Sequence, residues 1–290
     1  MSAGGRAERR LGLLLSAPAV VVMLAVAAFP VLYAVWLSLH RADLRAPDRN
    51  AFIGLDNYVT VLSSPIWWDA FGVTLFITVV STALELVLGL GLALVMHRTI
   101  VGRGLVRTVA LIPYGIVTVV AAYSWRYAWT QHTGWLAGSG APLADRWTSI
   151  FIIILAEVWK TTPFVALLLL AGLVLVPQDL LRAAAIDGAN AWQRLTRVTL
   201  PMIRPVILVA VLFRIMDAFR IFDNIYVLTN GSNGTASVSI VAYDNLIQGL
   251  NLGIGSTLSV LIVVSIAVIA FFLIRLFGAA APGGAAGPWR

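Results

Sequence analysis

Residues 150–176 read IFIIILAEVWKTTPFVALLLLAGLVLV, an apolar run of 27 residues whose only charges are Glu157 and Lys160. A helix rises about 1.5 Å per residue and the hydrocarbon layer of a bilayer is about 30 Å thick, so about 20 such residues cross it. The run is read as a transmembrane helix. Working outward, five more apolar segments of similar kind cover 11–38, 71–96, 108–128, 202–228 and 254–277. The composition agrees: the 290 residues are 60% hydrophobic and 11% charged, against roughly 45–50% and 25% in soluble domains. The expected fold class is an all-α integral membrane protein with about six transmembrane helices. Its spans lie within 11–277, a short segment 1–10 precedes them, and an Ala/Gly/Pro-rich tail, 278–290, is expected to be disordered.

Arg6, Arg9 and Arg10 precede the first span. That span is too long for the roughly 7–15-residue apolar core of a signal peptide, so it is read as uncleaved. With the N-terminus inside, 12 basic residues fall in inner segments and 4 in outer ones. That bias predicts cytoplasmic N- and C-termini. Trp67, Trp68, Trp129 and Trp135 lie near outer span ends, where an aromatic belt would place them.

The net charge of +7 contains no block of five like charges. It fits cytoplasmic membrane loops and not a nucleic-acid surface. The chain has no Cys, hence no disulfide or thiolate site. A phosphate-cradling loop needs Gly-x-x-x-x-Gly-Lys-Ser/Thr, and the one Lys, Lys160, follows Trp159 inside a span. His40, His97 and His132 are far apart, unlike a helical zinc-protease pair. Gly138-Ser139-Gly140 is too short for a nucleophile elbow, and Gly102-Arg103-Gly104 lacks the third glycine of a dinucleotide fingerprint. Asn230-Gly231 and Asn233-Gly234 read as turns. These absences argue against an enzyme and against a cofactor or metal in this chain.

Between the fourth and fifth spans, 177–201 is too polar to cross the membrane and too patterned for a slack loop of that length. Leu180 to Ile186 favour a helix, Gly188 suits its stop, and a second helix would place Trp192, Leu195 and Val198/Thr199 on one face before Pro201 ends it. The string Ala183-Ala184-x-Ile186-Asp187-Gly188-Ala189, with Trp192 and Leu200-Pro201, resembles the EAA loop of binding-cassette importer permeases. More narrowly, it resembles the maltose/glycerol-phosphate class of sugar permeases. Phe52-Ile53-Gly54-Leu55-Asp56-Asn57-Tyr58, Arg107-Thr108 with Ile112-Pro113 and Trp125, and Tyr226-Val227-Leu228-Thr229-Asn230-Gly231 resemble other stretches of that class.

The resemblance covers nearly the whole chain and implies a permease subunit of the bacterial inner membrane. Its implied partners are a second permease, two ATPase subunits that bind ATP and Mg²⁺, and an external solute-binding lipoprotein. The implied cargo is a sugar, such as the disaccharide trehalose. The resemblance also implies that the loop is a cytoplasmic coupling helix docking on the ATPase through Arg182, Ala183, Ala184, Ile186, Asp187, Gly188 and Ala189. Arg182 departs from the pattern, standing where the family carries an acid.

Charges in spans are costly, about 2.5–3.5 kcal/mol each at mid-helix, and mark functional positions. The fifth span carries Arg214, Asp217, Arg220 and Asp223, alternating in sign every three residues. Asp217 and Asn224, seven apart, would share a helix face. Counting about 1.5 Å per residue, Glu157 and Lys160 lie at the level of Asp217, Arg220 and Asn224. These groups would either line one polar cavity, with Trp159, Phe219 and Phe222 stacking on a sugar, or brace the helices as salt bridges. Glu85, alone in the second span, reads as a helix-packing hydrogen bond. The competing function is a proton-coupled secondary transporter using Glu85, Glu157 and Asp217, which would leave the loop unexplained.

Overall fold

The computed structural model describes residues 3–99, 102–138 and 140–278. The expected tail beyond Gly278 and Ser139 lie outside them, as do the side chains of Arg6, Arg9, Arg10 and Arg103. Among the described residues, four helical stretches are long and apolar enough to cross a membrane: Leu14–Ser38, Pro65–Arg98, Arg146–Val174 and Leu252–Leu276. Two bent helix pairs raise the number to as many as six. The chain divides into two compact units, 1–65 with 242–261 and 66–241 with 262–290.

In the first unit, helix α1 (Ala3–Ser38) runs into a small hairpin, β1 (His40–Arg41) with β2 (Ala51–Phe52), then α2 (Asp56–Ser63). The hairpin is the one addition to the all-α expectation; it pairs His40 with Phe52 and Arg41 with Ala51. Asn57 explains why the chain turns here. Its buried amide donates to the carbonyls of Ser38 (2.8 Å) and His40 (2.9 Å), which the end of α1 leaves without helical partners. Asp43 accepts from the Arg45 backbone and side chain, and its carboxyl falls to about 2.

The second unit is built on α3 (Pro65–Arg98) and α6 (Arg146–Val174). Asp145 caps α6, accepting from the Thr148 N–H at 3.0 Å, and this bond holds its carboxyl below the usual range. Two apolar clusters lie at different heights along this pair. One joins Ile77 of α3 to Ile152, Ile153 and Ile154 of α6, and the other joins Ala93 and Met96 to Val165, Leu169 and Leu173. Of the most apolar 18 residues of α6, 67% are buried.

Two expected spans are broken. The 108–128 segment folds as α4 (Arg103–Gly115) and α5 (Thr118–Trp129), bent by 84° where Ile116 turns to an extended conformation. Pro113 and Gly115, both poor helix residues, sit just before the bend. The 177–201 loop forms α7 (Gln178–Ile186) and α8 (Ala191–Arg194), then a π-helical turn over Leu195–Thr199 and α9 (Leu200–Met202). Pro201 therefore does not end the second helix. The π turn precedes it, with Leu200 N–H donating to the Leu195 carbonyl, and such widening makes room for a proline ring. The chain then bends by 70° into α10 (Arg204–Ala218). The 202–228 segment breaks again at 219–222 before α11 (Asp223–Leu228). α12 (Val238–Tyr243) and α13 (Leu252–Gly278) complete the chain, α13 starting in the first unit.

Helices α3 and α6 meet at Gly89, where an added Cβ would lie 2.9 Å from Val165 Cγ1 and 3.3 Å from the Ala166 nitrogen. Gly89→Val is expected to destabilise the protein by about 1–3 kcal/mol through overpacking. Gly89→Ala combined with Val165→Ala should recover most of the wild-type stability. Thermal unfolding of the purified complex in detergent reads both, and a Gly89→Val protein as stable as wild type would rule out this close approach.

Candidate functional site

Each polar group of the site is set by a helix that packing already fixes. α6 presents Glu157, Lys160 and Thr161, which are three and four residues apart and hence on one side. α3 presents Glu85 between the two apolar clusters. α10 ends with Arg214 and Asp217 in its last turns, and Asn224 stands in the first turn of α11. The break between those two helices is satisfied locally. Arg220 and Ile221 N–H groups donate to the Asp217 and Ala218 carbonyls (both 3.1 Å), and the Ser237 hydroxyl donates to the Ile221 carbonyl (2.8 Å).

Arg214 is fully buried and forms the hub. Its Nε and Nη2 donate as a fork to the two oxygens of Glu85, Nη2 also reaches Glu157 Oε1 at 3.2 Å, and Nη1 donates to Asp217. The other Glu157 oxygen accepts from Asn224 Nδ2. The Thr161 hydroxyl lies 2.6 Å from both Glu85 Oε1 and the Glu157 carbonyl and donates to one at a time. A guanidinium has five N–H groups in a planar fork, and this geometry fits it where a Lys would not. Asp217 is half exposed, at 53%, so it faces both the hub and open space.

That open space is a cavity of about 430 Å³, lined by Tyr114, Thr118, Glu157, Lys160, Thr161, Asp217, Arg220, Ile221, Phe222, Asp223 and Asn224. Its walls carry three acids and two bases, one net negative charge. Lys160 Nζ donates to the Ile116 carbonyl at 2.8 Å and lies 3.5 Å from that of Tyr114, so it binds backbone freed by the α4–α5 bend. Arg220 reaches only its own Met216 carbonyl, at 3.2 Å, and Asp223 has no partner among the described residues.

Residues 85–282 match the family described as binding-protein-dependent transport system inner membrane component. The chain belongs to this family. It is a multi-pass permease subunit of an ABC-type importer, resident in the inner membrane. It is 64% identical over 282 residues to the trehalose transport system permease protein SugA of Mycobacterium tuberculosis, covering 96% of this chain and 92% of that one. It is 40% identical to the trehalose/maltose transport system permease protein MalF of Thermococcus litoralis, covering 88% and 89%. Its fold superposes on a chain of a bacterial alginate ABC transporter in complex with an alginate pentasaccharide-bound periplasmic protein. The TM-score is 0.81 at 22% identity, over 98% of this chain and 99% of that one.

Of the pathway residues expected from the sequence, the permease brings seven to one cavity: Glu157, Lys160, Asp217, Arg220, Phe222, Asp223 and Asn224. Two are placed elsewhere. Phe219 is fully buried edge-on to Phe71, 5.7 Å between centroids, because α10 ends one residue before it and the chain turns it inward. Trp159 is not among the residues lining the cavity and packs on Trp125 at 6.0 Å. Tyr114 and Thr161 were not foreseen; Tyr114 becomes accessible only because its helix stops at Gly115. Glu85 takes the helix-packing role its isolation suggested, and its partner Arg214 lies 129 positions away. In the loop, Arg182, Ala183, Ile186, Asp187 and Gly188 are exposed, with Ile186 at 87%, while Ala184 and Ala189 are partly covered. Arg182 pairs loosely with Asp179 at 3.4 Å, both exposed.

Arg214→Met strands Glu85 and Glu157 without their counter-ion and is expected to cost about 3–5 kcal/mol of stability. Adding Glu85→Leu should return part of that, since apolar replacement of a buried pair is often neutral. Thermal unfolding decides: an unchanged midpoint for Arg214→Met would mean that the hub does not brace the helices.

Proposed function

We propose that this permease forms, with a second permease, the pathway for a neutral disaccharide such as trehalose, delivered by an external binding lipoprotein. The cavity beside Arg214 is the observation that carries the sugar reading. Its volume falls within the roughly 300–1,000 Å³ of small-molecule sites. Its Asp217 and Asp223 offer acceptors and its Arg220 donors for hydroxyls, and Phe222 offers a ring face for C–H surface. Phe222 is itself steadied by stacking on Tyr226 at 5.2 Å. The names of the two relatives, one of trehalose and one of trehalose and maltose transport, support a disaccharide.

In this reading ATP and Mg²⁺ are bound and used by two separate ATPase subunits, and this chain holds no cofactor. The ATPase grips Arg182–Ala189, where Ile186 and Trp192 stand exposed on α7 and α8. The N-terminus and the coupling loop face the cytoplasm, as the distribution of basic residues supports. A proton-coupled carrier is not favoured, because the family works with binding proteins and Glu85 is sealed behind Arg214 with no exposure.

Asp217→Asn is expected to raise the KM for trehalose uptake about 10-fold or more, because a hydrogen bond to a charged group is worth about 1.5–3 kcal/mol. The complex should still co-purify intact. Labelled-trehalose uptake in reconstituted vesicles checks it, and unchanged kinetics would remove Asp217 from the pathway.

Gly188 tests the docking. Its φ of +85° is strained for any side chain, while nothing lies within 4 Å of an added Cβ. Gly188→Val should therefore act through the backbone alone and lower transport-coupled ATP hydrolysis several-fold. Gly188→Asn, which tolerates that region better, should lose less. Equal, wild-type hydrolysis in both would count against the loop as the coupling element.

A further inference from the structure

A second cavity, of about 500 Å³, opens where α3 and α6 end and α7–α8 begin. His97 and Arg98 from the last turn of α3 and Arg194 from α8 converge on it. Leu94, one turn before His97 and Arg98 on α3, and Leu173 and Leu195 line it as well. The three basic groups have no acidic partner among the described residues. Arg194 Nε is shut off from solvent and finds no acceptor. The sequence from Arg98 to Gly104 contains no Asp or Glu, and Asp179, at the start of α7, is 93% exposed and turned to Arg182.

Basic residues at helix C-termini suit the helix dipoles. That accounts for His97 and Arg98 and not for Arg194, which stands in the first turn of the continuous helical stretch Ala191–Met202 with a buried Nε that has nothing to bind. A cavity lined by both bases and leucines, at the height where spans leave the membrane, matches an amphiphile with an anionic head. Basic pockets between helices at that level take phospholipid headgroups.

We propose that this cavity is a binding site for the phosphate headgroup of an anionic phospholipid, with its acyl chains against Leu94, Leu173 and Leu195. The lipid would lie against the first turns of α7 and α8. The site stands on the cavity's own residues and not on the reading of the loop as an ATPase-docking element, so its test is a binding measurement made without ATP.

The full transporter complex is placed in nanodiscs of phosphatidylcholine or of an equal mixture with phosphatidylglycerol, and bound lipid is counted by native mass spectrometry. Wild type is expected to retain phosphatidylglycerol selectively. Arg98→Gln and Arg194→Gln should each weaken retention about fivefold, the effect of one basic group near a lipid surface. Arg194→Lys should keep most of it, and an unchanged unfolding midpoint in the Gln variants shows that they are folded. Equal phosphatidylglycerol retention by wild type and the double Gln variant overturns the site. Displacement of the lipid by inorganic phosphate alone overturns the lipid assignment in favour of a free anion. Protection of Arg194 from an arginine-modifying reagent by the ATPase subunit, whatever the lipid, overturns it in favour of a partner's acid.

Discussion

The buried guanidinium of Arg214 constrains everything around it. A cation at zero exposure inside a membrane protein survives only if carboxylates meet it. Three do, from α3, α6 and α10 itself, so one side chain fixes the mutual height and rotation of three helices. The apolar clusters above and below it hold α3 against α6, with the close approach at Gly89 as a steric register mark. Lipid offers no hydrophobic drive to correct a slip between the two helices. The ionic hub adds directional bonds to a register that apolar packing alone holds weakly.

The hub also explains why a cavity can exist beside it. A broken span frees backbone groups that lipid cannot satisfy, so irregular backbone persists only against protein or water. Two bases meet this need. Lys160 binds the carbonyls at the end of α4, and Arg126 donates to the Val227 carbonyl at 2.9 Å, near the end of α11. Each puts a positive charge at the negative end of a helix. With Lys160 so engaged and Arg214 saturated by carboxylates, the groups left to face the cavity are Asp217, Arg220, Asp223 and the aromatic rings.

The spans and the loop were legible because both rest on local rules: length and apolarity for the first, helix stop and start signals for the second. Gly188 takes its positive φ, and Asn190 and Gln193 close a capping box that starts α8. The convergence of Glu157 and Lys160 with Asp217 and Asn224 was legible from depth alone. Their common face was inferred from a continuous helix that is in fact broken at 219–222. A break of that kind obeys partners distant in the chain, such as Ser237 on the Ile221 carbonyl, and no local pattern reports it. For the same reason Phe219 turned inward, whereas Tyr114 became available at the α4–α5 bend beside Pro113 and Gly115. The pairing of Glu85 with Arg214 joins positions 129 apart, and a single sequence holds no measure of that.

The connection between loop and cavity follows from α10. The helix starts at the 70° bend directly after α9 and carries Arg214 and Asp217 at its other end. Its 15 residues span about 22 Å at about 1.5 Å per residue. A helix of that length is stiff, whereas the π turn and the bend at Ile203 are where the backbone can change direction. On the proposed function, a pull on α7–α8 would therefore reach the cavity as a movement of α10 as a whole. It would act first on the pairs that Arg214 makes with Glu85 and Glu157, which lie on other helices, and not on its pair with Asp217, which rides on the same one. The brace and the cavity wall share Glu157 and Asp217, so the helices cannot change register without changing the charge presented to the cargo.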